Sequence, residues 1–312
     1  MAKNITNPHD KYFSAVFSYK EITEKFLHSF LPAQYLQHLN LGSLERITGS
    51  FIDENLQEHF TDMLYQCQLK NSKQIIWISL LLKHKSYNDQ ETDFQLLDYI
   101  NGAWHQNKKD HKKRQFTLPI VLYHGDKPWV RKRISEHFGQ IGQHFNDFLP
   151  KFDYVLVDLS TFSEERIHQM HLDTIILNMV MVLKFGRDKN FVINHIDRIF
   201  FRANEYYDKR TGENFFNVSF VYLLSLVETS SDNLTTIFSQ LPKPIKSKAM
   251  TLYDSILKKG EQKGRQEGRQ EGFHYTLEII EMLKNNVTPV KISAKLNVDI
   301  EFIQKLKEKL GL

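Results

Sequence analysis

One cysteine, Cys67, stands in a chain of 312 residues, so no disulfide can close within it. A lone thiol fits a reducing compartment and excludes the disulfide-stapled secreted scaffolds. The opening residues, Met1 to Pro8, carry no apolar run of the secretory kind, and the expected location is the cytoplasm. Long hydrophobic stretches are also missing. The most apolar helical segment, Thr174 to Leu183, is interrupted by Asn178 and is too short to span a bilayer, so no membrane partner is expected. A large excess of charge of either sign is missing: the net charge is +4, which permits nucleic-acid binding without demanding it. Fourteen histidines are present, yet His9, His84, His124 and His171 show no paired metal-ligand spacing, and Cys67 offers no second sulfur. No glycine-rich phosphate loop occurs.

What is present suits a packed protein. Apolar residues make up 41% and aromatic residues 12%, a composition for buried cores and against disorder. Asn7-Pro8 opens a helical pattern through Phe13, Val16, Phe17, Phe26, Leu27 and Phe30, which Pro32 stops. Residues 47–53, 60–69 and 75–82 read as strands, the last two joined as an antiparallel hairpin by the polar turn Asn71-Ser72-Lys73. A helix over 92–104 follows, then strands over 118–123 and 154–159. Strands interleaved with helices predict an α/β core. Thr161-Phe162-Ser163-Glu164 has the spacing of a capping box and introduces a mostly helical stretch to about residue 257.

The chemistry concentrates on the hairpin. Strand alternation places Asp62 on one face of the first strand and Ser79, Leu81, Lys83 and Lys85 on one face of the next. Asp62 and the two lysines then meet at one end. A carboxylate there suits Mg²⁺, a hard cation that takes oxygen ligands and polarises a phosphate, and a lysine suits the charge that develops during cleavage. Gln95 and Tyr99 stand four apart on the following helix and face the same way.

These segments, together with Pro8-His9-Asp10-Lys11-Tyr12-Phe13, Ser50 to Glu54, His84-Lys85-Ser86, Phe94 to Tyr99 with Trp104, and Leu118 to Gly125, resemble the Rpn family of recombination-promoting nucleases, the YhgA-like transposases of the PD-(D/E)XK superfamily. The resemblance implies a restriction-endonuclease-like mixed sheet flanked by helices, with an α-helical C-terminal region. It implies a Mg²⁺-dependent DNA endonuclease linked to recombination, mobile elements or phage defence. Asp62 then corresponds to the metal-binding aspartate, Lys85 to the catalytic lysine, and Gln95 and Tyr99 to a Gln-x-x-x-Tyr element. Lys83 departs from the pattern, because the family has Glu there. An ammonium in place of a carboxylate changes the local charge by two units and opposes a metal. Impaired cleavage is the expectation, unless Glu91, Asp98, Glu54 or Asp53 supplies the missing oxygen. The alternatives are a non-catalytic DNA-binding or regulatory protein derived from the same fold, and a protein–protein module that uses its tail to regulate an active relative.

Between residues 108 and 133 nine Lys or Arg face two Asp. Lys108, Lys109, Lys112, Lys113 and Arg114, followed by Lys127, Arg131, Lys132 and Arg133, read either as a phosphate-tracking surface or as a solvated loop. Gly260, Gly264, Gly268 and Gly272 recur at four-residue spacing and mark a marginal helix or tether, since each costs about 1 kcal/mol in a helix interior. Beyond them the chain outlines two short helices in helix-turn-helix order. The expected organisation is a nuclease-like core over 1–160, a helical subdomain over 161–257, the repeat tether over 258–272 and a small helical tail over 273–312. Self-association, if any, is expected through the C-terminal region.

Overall fold

A computed structural model describes residues 8–47, 62–83, 91–109, 113–227, 230–284 and 287–310. The chain divides into two compact units, Met1–Ala249 and Met250–Leu312.

The first unit is built on a five-stranded mixed sheet in the order β1-β2-β3-β4-β5. β1 (Leu39–Arg46), β2 (Asp62–Leu69) and β3 (Ile75–Lys83) are antiparallel neighbours, whereas β4 (Thr117–Tyr123) and β5 (Val155–Asp158) run parallel to β3. β3 is central and covered on both faces, which explains its nearly unbroken apolar run. Its hairpin with β2 turns at Asn71, whose φ of 56° is one that Asn tolerates better than most residues.

One face of the sheet packs on α1 (Pro8–Phe17) and α2 (Lys20–Phe30). The single helical pattern that the sequence shows to Pro32 is broken into two at Ser18-Tyr19, where Tyr19 is extended. Tyr65 on β2 locks this break: its hydroxyl donates to the Phe17 carbonyl and lies 3.1 Å from the Thr23 hydroxyl. The opposite face packs on α3 (Thr92–Lys109), which runs five residues beyond the expected end and closes with the Trp104 indole donating to the Gln115 carbonyl at 2.8 Å.

The edge strand is one that the sequence reading did not name. β1 lies at Leu39–Arg46, before the run over 47–53 that looked like a strand. A register shift between Asn40 and Glu45 breaks the alternation that would have revealed it. Residues 48–53 lie outside the described residues. The helix after β5 is capped by Ser163, which accepts from Arg166 N, and not by Thr161, whose hydroxyl donates to the Asp158 carbonyl.

Four helices carry much of the rest of this unit: α4 (Thr174–Phe185), α5 (Arg210–Leu226), α6 (Ser231–Gln240) and the start of α7 (Lys243–Lys284). α4 is buried from Ile175 to Leu183. Asn178 inside it is satisfied by the Tyr206 hydroxyl at 2.7 Å and the Phe201 carbonyl at 3.0 Å. α1 is bound to α5 by Tyr12 stacked on Tyr222 at 4.3 Å and by the His9–Tyr222 hydrogen bond at 2.7 Å. The helices between residues 161 and 240 therefore share one compact unit with the sheet. Among the described residues no helix is long and apolar enough to cross a membrane.

The backbone of the glycine repeat is helical and belongs to α7. In the second unit Ile279 and Leu283 of α7 meet Ile292 of α8 (Pro289–Leu296) and Ile303 of α9 (Ile300–Leu310) in a small core. Asn297, at φ 51°, makes the turn between the two short helices.

Candidate functional site

The register of the hairpin decides what stands beside Asp62. Asp62 pairs with Leu81, and Leu64 with Ser79, so Asp62, Leu81 and Lys83 occupy one face of the sheet. Lys83 is the diagonal neighbour of Asp62 on that face, a spacing of about 7–8 Å between paired strands. β4 brings Tyr123 alongside Lys83, and β5 brings Asp158 alongside Tyr123. The ends of β3, β4 and β5 therefore align with the start of β2.

α3 covers this face and runs back along β3. Leu96 packs on Leu81, and Tyr99 and Ala103 pack on Leu64 and Trp77. One turn earlier, Gln95 meets Lys83, whose ammonium donates to the Gln95 side-chain carbonyl. Two residues named from the sequence are thus joined, and one of them occupies the other. Tyr99 stands one turn further into the core with its ring buried, where it contributes packing. Glu91 precedes Gln95 by one turn, its carbonyl accepting from Gln95 N at 2.9 Å, and is exposed, as is Asp98. Lys85, His84, Asp53, Glu54 and Lys112 lie outside the described residues.

Asp158 and Tyr123 are structural neighbours of this end. The Asp158 carboxylate accepts from Trp129 N at 2.8 Å and Ser160 N at 2.9 Å. The Tyr123 ring folds back over Gly125, where an added Cβ would lie 2.0 Å from the phenol oxygen. Burial raises the Tyr123 hydroxyl pKa above its ordinary value.

The basic residues, one surface in the sequence, separate in space. Lys113 and Arg114 line a groove with Tyr35, Leu69, Ile75 and Phe116, at the end of the sheet where β3 and β4 begin. Lys108 and Lys109 close α3 near that end. Lys83 and Gln95 lie at the other end, about 20 Å away along the helix. Arg131, Lys132 and Arg133 instead line a cleft of about 600 Å³ with Asp93, Lys151 and Asp153. Asp93 is in the first turn of α3, two residues before Gln95. Its carboxylate is buried and stands 3.9 Å from His137. Burial raises the Asp93 carboxyl pKa, with His137 and Arg131 pulling the other way. Arg131 pairs with Asp153 and lies 4.0 Å over the Tyr154 ring. Sequence inspection grouped residues 131–133 with the loop at 108–114. β4, which runs between the two groups, sets them at opposite ends of the sheet.

A mixed sheet with helices on both faces, carrying its polar residues where an antiparallel hairpin meets a parallel pair, defines an α/β protein. The chain belongs to the family described as "Putative transposase, YhgA-like", whose model matches residues 7–211. It is 31% identical over 122 residues to the recombination-promoting nuclease RpnC of Escherichia coli K12, covering 39% of this chain and 40% of that protein. It is 24% identical over 265 residues to the inactive recombination-promoting nuclease-like protein RpnE of the same strain, covering 82% of this chain and 84% of RpnE. The recombination-promoting nuclease RpnD of Escherichia coli O157:H7 is 26% identical over 129 residues, 40% of this chain and 49% of RpnD. The chain thus spans less than half the length of RpnC and RpnD in these matches. No solved structure matches.

Proposed function

We propose that this chain engages DNA through a nuclease-derived fold and that Lys83 disables metal-dependent cleavage in the sequence as it stands. The observation that carries this is the Lys83–Gln95 hydrogen bond on the face that holds Asp62. A phosphodiesterase site of this class needs oxygen ligands for Mg²⁺. Here an ammonium stands diagonal to Asp62, and the amide oxygen of Gln95 accepts from that ammonium. Among the described residues no group of three His, Cys, Asp or Glu side chains comes together. The Lys83 ammonium, held by Gln95, is the misfit for Mg²⁺ in this set. The long match to a relative named inactive supports the same direction. What the fold retains is a cationic surface able to hold phosphates. The family description and the names of the relatives support a role in recombination or transposition.

The test compares the parent, Lys83→Glu and Asp62→Ala on supercoiled plasmid with Mg²⁺ or Mn²⁺, and measures duplex binding in EDTA. The parent should bind with a log-linear loss of affinity in salt and leave plasmid uncut. Cutting by the parent that Asp62→Ala abolishes would refute the disabled site. Glu91 would then be the first candidate for the missing ligand, because it lies one helical turn from Gln95. Glu91→Gln would test it.

A further inference from the structure

The segment after β4 exposes an unusual amount of apolar surface. Phe138, Ile141, Phe145 and Phe148 are 48%, 69%, 58% and 84% exposed within eleven residues. Single exposed apolar residues are ordinary on a protein surface, whereas a cluster of this kind marks a contact surface. Phe145 and Phe148 are neighbours, with ring centroids 6.5 Å apart. Asn146, between them in sequence, lines the cleft that holds Arg131, Lys132, Arg133 and Lys151.

The two features are complementary to one kind of ligand. A single nucleic-acid strand presents phosphates along one side and flat base faces along the other. Lys132 and Arg133 supply charge. Lys151 pairs with Asp147 at 3.2 Å and Arg131 with Asp153, and these are solvent-exposed pairs that exchange readily for phosphate. A paired duplex buries its base faces against one another, so exposed phenylalanine rings gain little from it. The cleft also begins at Asp93, two residues from the Gln95 that holds Lys83.

We infer that the surface formed by residues 131–152 binds an unpaired nucleic-acid strand, with bases stacked on Phe145 and Phe148 and phosphates against Lys132, Arg133 and Lys151. This rests on the proposal that the chain engages DNA, and it adds that the DNA held here is unpaired. The experiment is fluorescence anisotropy of the full chain in EDTA, with labelled oligothymidylate and with a blunt duplex. The parent should bind oligothymidylate more tightly than duplex. The double variant Phe145→Ala, Phe148→Ala should lose about thirtyfold or more of its oligothymidylate affinity, from about 1–3 kcal/mol for each of two stacked bases. It should keep its melting temperature and its duplex affinity. Lys132→Glu should weaken both ligands. Unchanged oligothymidylate binding by a folded double variant would overturn the inference. So would equal losses on both ligands, or conversion of a parent dimer to a monomer, which would make the patch a contact between copies. Duplex binding without oligothymidylate binding would refute this inference alone. Binding of neither would refute the proposed function as well.

Discussion

Lys83→Glu is the substitution with the largest consequence. It removes an ammonium from the face of Asp62 and places a carboxylate there. A divalent cation at the register position of Asp62, about 8 Å from the ammonium, is repelled by roughly 4 kcal/mol at an effective dielectric of about 20. Solvent reaches the half-buried Lys83 and screens part of this. Even a third of it, about 1.4 kcal/mol, is roughly tenfold in cation affinity, before any attraction from the new carboxylate. The cost to the fold is the hydrogen bond to Gln95, about 1 kcal/mol or a melting shift of about 2–4 °C. Plasmid nicking with Mg²⁺ or Mn²⁺ should therefore appear in Lys83→Glu, increase with metal concentration and vanish in the Lys83→Glu, Asp62→Ala double variant. A folded Lys83→Glu protein with no Asp62-dependent nicking would refute the reasoning, as would a parent that nicks equally well.

Gln95→Leu should destabilise the first unit by about 1.5–3 kcal/mol, because the Lys83 ammonium loses this acceptor. Adding Lys83→Met should recover much of the loss in a urea-melt double-mutant cycle, and strictly additive effects would deny the coupling. Tyr99→Ala should cost about 3–5 kcal/mol, since the ring fills the core between Leu64, Trp77 and Ala103. A variant that melts like the parent would place Tyr99 outside the core. Burial raises the Asp93 carboxyl above its ordinary 3.8, so the native state holds this proton more tightly than the unfolded chain. The resulting stabilisation is present below about pH 3.8 and is lost as pH rises through the folded value. Asp93→Asn should therefore gain stability relative to the parent between acid and neutral pH, measured by urea midpoints, and a difference that does not vary with pH would refute this.

The hairpin, the apolar central strand and the helix after it were legible because periodicity and turn residues are local. So were the two short tail helices, divided at Asn297-Val298-Asp299. The edge strand was not, because a register shift scrambles alternation and the partner strand holds it in place. The break at Ser18-Tyr19 was hidden for a similar reason: the Tyr65 hydroxyl that secures it comes from a strand more than forty residues away.

At the site, residue types alone set the chemistry at issue: an aspartate, a lysine where a glutamate is expected, and a glutamine on the next helix. Which of them meet was a tertiary matter. Register places Lys83 diagonal to Asp62, and α3, running back along β3, turns Gln95 onto Lys83 and Tyr99 into the core. β4 parts the basic residues, leaving Lys113 and Arg114 at one end of the sheet and Lys132 and Arg133 at the other. Charge is written in the sequence. Its separation is set by the strand that runs between the two groups.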